Sequence, residues 1–210
     1  MSLYREPPES VTVQGKEYPV DTDFRRWIEF QGMLVAKEDD TTKAERLCGF
    51  MKSLGLPPSQ ESLEAMMEFY SAASQEKPGA GKARPQAFDF EQDSEFIFSA
   101  FWECYGIDLS IVKLHWWRFK ALFKSLPQDC EICRIMGYRT ADMKDVPKHQ
   151  KQFYREMKAR YALNGGNPAY RTEQDMKDYV KRRYEEAQAS LSVLRSSGQS
   201  GDAGSESTSK

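Results

Sequence analysis

Histidine is the scarcest reactive side chain in this sequence: 210 residues hold two, His115 and His149. An imidazole base or a histidine-rich metal centre therefore has almost nothing to draw on. His149 lies in the polar run PKHQK and reads as a solvated side chain. His115 has Cys104 upstream but no spacing that makes the two a nucleophile and base. Cysteine is nearly as sparse, with four residues, Cys48, Cys104, Cys130 and Cys133. The CxxC of Cys130 and Cys133 has neither a second CxxC nor an HxxxH nearby to complete the four ligands of a zinc site. A thioredoxin-like role needs a preceding strand in a βαβ unit. Here Ile132, Ile135 and Met136 surround the pair at helical spacing, which predicts buried free thiols. GxSxG, P-loop, GxGxxG and HExxH motifs are all missing. The sequence predicts no enzyme, no metal and no cofactor. No apolar run approaches the length of a membrane span, and the start, MSLYREPPES, lacks the apolar core of a signal peptide. These features predict a protein of a reducing cytosol, either of a cell or of a cell hosting a virus.

What is there is charge and aromatic bulk. The net charge is −2, yet the charges are segregated. Residues 88–108 carry six acids and no Lys or Arg, whereas residues 109–163 carry twelve Lys or Arg against five acids, a local balance of +7. Such blocks serve nucleic acid or an acidic partner, or neutralise each other inside a fold. Because the two blocks abut at a short turn, mutual neutralisation is the reading adopted. The acids of DFEQDSE spread around a helix instead of converging, as helix capping and solvation require.

The pattern predicts a mostly α protein, a multi-helix domain centred on an αα-hairpin at about 89–126, with a small N-terminal β-hairpin. SVTV and EYPV flank Gln14-Gly15-Lys16, where Gly15 supplies a positive φ. Thr22 or Asp23 caps a helix bearing Phe24, Trp27, Ile28 and Leu34. Thr42 with Glu45 has capping-box spacing ahead of Leu47, Cys48 and Met51. Ser59 opens a third helix with Leu63, Met66, Met67 and Tyr70 on one face. Residues 75–87, QEKPGAGKARPQA, predict a flexible linker. Asp89 and Gln92 open a helix to about Tyr105, stopped by Gly106. Pro127 ends the next helix, DCEICRIMGYR gives a short one ending at Gly137, and VPKHQKQFYREMKARYAL gives another. Residues 1–74 and 88–163 are expected to pack as one domain. Residues 164–195 read as a linker and a charged helix from about Thr172 to Arg195, and 196–210 as a disordered tail.

The stretch YGIDLSIVKLHWWRFKALFKSL carries adjacent tryptophans among lysines. On a helix, Val112, Trp116, Phe119, Phe123 and Leu126 share one face, with Ile111, His115 and Leu122 beside it. Lys113, Lys120 and Lys124 form a separate stripe with Trp117 at its edge. Trp116 is therefore a predicted core residue. Trp117, Lys113, Lys120 and Lys124 are the candidate partner-binding residues, with Trp117 either half-buried under lysine stems or part of a contact surface. Aromatics interleaved with bases in 113–124 and 151–161 also fit a nucleic-acid groove, but no nucleic-acid motif is legible, and that reading ranks last.

DTDFRRWIEF, FDFEQDSEFIFSAFWECYGIDL, LHWWRFKALFKSL, IMGYR and KQFYREMKARYAL together resemble the bacteriophage gene-product-fifteen family over most of residues 11–163. The resemblance implies a protein of phages and prophages with long non-contractile tails (siphoviruses), encoded between the major tail protein and the tape measure. It implies a tail assembly chaperone in the bacterial host cytoplasm, partnered by the tape-measure protein and other tail proteins. A structural tail component is the alternative it leaves open. A thin apolar stripe in the last helix (Met176, Val180, Ala187, Leu191, Leu194) suits self-association, a partner, or docking on its own domain.

Overall fold

The computed structural model describes residues 6–36, 38–71 and 85–164, together with Lys181 and Glu185. Among these, two strands precede seven α-helices: β1 (Ser10–Val13), β2 (Lys16–Pro19), α1 (Phe24–Val35), α2 (Asp40–Ser53), α3 (Gln60–Ser71), α4 (Ser94–Tyr105), α5 (Trp116–Lys124), α6 (Glu131–Thr140) and α7 (Lys151–Arg160). The chain is thus mostly α with an N-terminal β-hairpin, as the patterning predicts. Most of the linker expected over 75–87, the helix expected over 172–195 and the tail at 196–210 lie outside the described residues. The exceptions in the C-terminal part are Lys181 and Glu185. Both are helical and meet α3, through a Lys181–Glu64 ion pair at 2.8 Å and a Gln60–Glu185 hydrogen bond at 3.0 Å.

Each local structure follows from a few side chains. The hairpin turns on two residues with positive φ, Gln14 and Gly15, the conformation that matches the twist of a two-residue connection. Its register pairs Ser10 with Pro19 and Val13 with Lys16, which puts Val11 and Val13 on the buried face against α3. Asp23 caps α1 by accepting from the Arg25 amide. Asp39, not Thr42, caps α2: it accepts from the Thr42 amide at 3.0 Å and hydroxyl at 2.6 Å, and these bonds hold its carboxyl below the ordinary carboxylate value. Gly106, at φ 65°, ends α4 as predicted. Gly137 does not end α6, which continues to Thr140.

The core is aromatic, and its centre is Phe119 of α5. That ring stacks on Phe24 of α1 at 4.6 Å and Phe101 of α4 at 5.1 Å, and lies 5.9 Å from Trp116. Offset ring pairs at such distances each contribute roughly 0.5–1.5 kcal/mol beyond burial. The predicted pairing of α4 with α5 is present through Phe101–Phe119 and through the Tyr105 hydroxyl, which donates to the Leu122 carbonyl. The connection between them differs from expectation. Instead of a turn at Gly106, residues 106–115 form a loop, α5 begins at Trp116, and Ile111 is 80% exposed. The loop is non-helical because its polar backbone is bound elsewhere. The Arg25 guanidinium reaches the carbonyls of Leu109 (2.5 Å) and Val112 (3.2 Å), the Phe24 amide donates to Leu114, and the Trp116 amide donates to Thr22.

The acidic and basic blocks meet at one buried ion pair. Arg139 of α6 grips Asp93, the residue before α4, with bonds of 2.6 and 2.8 Å, and the side chains are 6% and 1% exposed. The same guanidinium donates to the carbonyls of Ala87 and Tyr161, so one side chain ties together the approach to α4, α6 and the end of α7. Asp93 is therefore not one of the solvated capping acids that the sequence predicts. Removing one partner strands a buried charge, so Asp93→Ala or Arg139→Ala is expected to cost about 3–5 kcal/mol, measured by urea unfolding.

Candidate partner-binding surface

The last carbonyls of any helix lack partners within the helix, and they sit at its negative end. At the end of α3 those partners come from the double tryptophan. Trp116 Nε1 donates to the Tyr70 carbonyl at 2.9 Å, and Trp117 Nε1 donates to the Phe69 carbonyl at 2.8 Å. Lys120, one turn beyond Trp116, donates Nζ to the same Tyr70 carbonyl at 3.1 Å, and its ammonium lies over the Tyr70 and Trp116 rings at 5.2 and 5.5 Å. The spacing explains the reach. Trp116 and Lys120 lie on one face of α5, while Trp117, about 100° round, meets the carbonyl one residue earlier. Trp116 also stacks on Tyr70 at 5.2 Å, and Trp117 packs against Phe69 at 5.5 Å.

His115 fixes the start of this arrangement. Its Nδ1 accepts from the Trp117 amide at 3.0 Å, capping α5, and its Nε2 sits 3.0 Å from the Pro8 carbonyl. A carbonyl only accepts, so the ring is the neutral Nε2–H tautomer. Burial depresses its pKa first and the nearby Arg118 adds to this, opposed by the Pro8 bond and Glu9.

The four predicted contact residues are thus divided. Trp117 and Lys120 are half-buried against α3, whereas Lys113 and Lys124 are exposed. Lys113 lines a hollow of about 560 Å³ with His115, Arg118 and the acids Glu6, Glu9, Asp21 and Asp23. Lysine binding to helix-end carbonyls recurs: Lys43 donates to Leu34 at the end of α1, and Lys158 to Arg139 near the end of α6. Part of the basic block is in this way committed to backbone oxygens. The four cysteines are free. Desolvation and the Cys130 contact push the Cys133 thiol up to about 12, and desolvation raises Cys104, so both stay protonated. Among the described residues no group of three His, Cys, Asp or Glu side chains is placed to hold a metal, and no helix is long and apolar enough to cross a membrane.

Sequence reasoning missed a different surface. On α4, Phe98 is 37% exposed and Trp102 is 54% exposed, and neither has a ring partner among the described residues. The segment SEFIFSAFWECY carries Phe96, Phe98, Phe101, Trp102 and Tyr105, aromatics spread too widely around a helix for one domain to cover. That excess is the signal available in the sequence.

A family model described as Bacteriophage Gp15 protein matches residues 5–163, which span every element from β1 to α7. No curated protein and no solved structure matches the chain.

The His115 geometry carries a pH dependence. Burial holds the folded-state pKa below the ordinary 6.5, and a proton on Nδ1 would also face the Trp117 N–H and break the cap. The unfolded chain then takes up the proton first as pH falls. The contribution of neutral His115 is complete above about 6.5 and declines below it through the folded pKa. Urea midpoints measured from pH 8 to 5 are expected to fall across this window, and His115→Asn, which keeps a capping acceptor, is expected to flatten the decline.

Proposed function

Since the chain belongs to the bacteriophage Gp15 family, we propose that it is a non-enzymatic tail assembly chaperone of the host cytoplasm, which holds helical segments of the tape-measure protein while the tail polymerises. The observation that supports this reading is the exposed Phe98–Trp102 pair on α4. Most large aromatic side chains among the described residues are packed, and Phe98 and Trp102, left in water one helical turn apart, offer the anchor that helix-binding surfaces use. Covering the two rings contributes on the order of 1–2 kcal/mol each, given how much of each is already buried. Many such weak contacts suit a chaperone that must release its client as subunits add.

Trp117 and Lys120 enter this proposal as scaffold. Their polar atoms bind α3, so the contact surface is α4, not the lysine-flanked edge of α5. Co-expression of the full chain with the tape-measure protein of the same genome is expected to raise the soluble fraction of the latter. The double variant Phe98→Ser, Trp102→Ser is expected to lose most of that gain, and no gain with the unaltered chain contradicts the reading. Mass spectrometry of purified particles separates the alternative: a chaperone is absent, whereas a structural tail component appears at regular copy number.

A further inference from the structure

Around α4 the exposed arc runs through Phe98, Trp102, Glu95, Ser99 and Glu103, roughly 140° of the helix circumference. The two aromatics form one edge of that arc, and the two glutamates with Ser99 form the other. Neither Glu95 nor Glu103 has an ion-pair partner among the described residues, and residues 88–108 contain no Lys or Arg. The one acid of this block that pairs with a cation among the described residues, Asp93, points inward to Arg139. An apolar stripe bordered on one side by uncompensated carboxylates complements a particular ligand: a helix whose own apolar stripe is bordered by Lys or Arg.

We infer that α4 docks a basic amphipathic helix, with Phe98 and Trp102 receiving its apolar stripe and Glu95 and Glu103 receiving its cations. This rests on α4 being the contact face, as proposed above, but not on the client being a tape measure. The aromatic pair supplies affinity, and the glutamates supply orientation and selection, because like charges laid along this face repel. An acidic helix of the same apolar content is therefore disfavoured.

The test uses the full chain and two fluorescein-labelled helical peptides with the same apolar stripe, one flanked by lysines and the other by glutamates. At low ionic strength the lysine peptide is expected to bind about tenfold more tightly, a preference that shrinks in high salt. Glu95→Gln with Glu103→Gln is expected to bring the two peptides within about twofold of each other, while Trp102→Ala weakens the lysine peptide at least about tenfold. Equal binding, binding of neither peptide, or a preference untouched by these variants overturns the proposal. Self-association of the chain that Trp102→Ala abolishes would instead place a second copy on α4, and also overturns it. Failure here is distinguishable from failure of the chaperone reading. A tape measure solubilised through Trp102 without charge preference removes only this inference, and charge-selective peptide binding without tape-measure solubilisation removes only the chaperone.

Discussion

The terminal carbonyls of α3 are the constraint around which this fold is arranged. The last carbonyls of a helix have no partner within its regular hydrogen-bond ladder, and an unsatisfied buried carbonyl costs roughly 1–3 kcal/mol. Two indole N–H groups and one ammonium, all from the first turn and a half of α5, answer that demand at Phe69 and Tyr70. Indole suits the position because it donates one hydrogen bond while presenting a large apolar ring. Trp116 thereby stacks on Tyr70 and reaches Phe119, joining the cap directly to the aromatic centre. His115 holds the register of these donors, and the loop before it is pinned by Arg25.

The same chemistry explains the uneven charge. Lys43, Lys120, Lys158, Arg25 and Arg139 all donate to main-chain carbonyls of other elements or loops, 9 to 84 positions away. Cations used in this way crosslink helices and loops instead of decorating a surface. The basic block that invites a nucleic-acid reading is in part an internal scaffold, while the acidic block leaves Glu95 and Glu103 in water beside exposed aromatics. The asymmetry that looked like mutual neutralisation is resolved for Asp93 and Arg139 and left open along α4. Under the proposal made above, this face of one sign with an apolar edge is what α4 offers a partner.

Elements governed by local rules were legible in the sequence. The hairpin turn at Gly15, the buried face of α3 and the stop at Gly106 depend on conformational preference and periodicity, and each is found where expected. Trp116 was legible as core for the same reason. For Trp117 the sequence left half-burial and a contact surface as alternatives; it is half-buried, and its partner is the carbonyl of Phe69, 48 residues away, which no periodicity reveals. The start of α5 was misplaced because residues 109–112 have a helical pattern whose carbonyls are claimed by Arg25 across 84 and 87 positions. Asp93 had every local mark of a solvated cap, and only the approach of Arg139 buries it. The exposed pair on α4 was overlooked because periodicity identifies a face that wants burial but cannot say how much cover the domain has.

The central claim is that the double tryptophan holds the fold through its two indole N–H groups. Phenylalanine keeps most of the ring and cannot donate, so equilibrium urea unfolding of the Trp116→Phe, Trp117→Phe double variant tests the claim directly, with Trp102→Phe as the control. The account predicts a loss of at least about 2 kcal/mol for the double variant, from the two lost indole hydrogen bonds, one of them to a Tyr70 carbonyl that keeps Lys120, and a change within about 0.5 kcal/mol for the exposed control. A double variant as stable as the unaltered chain, or a control that loses as much, would contradict it.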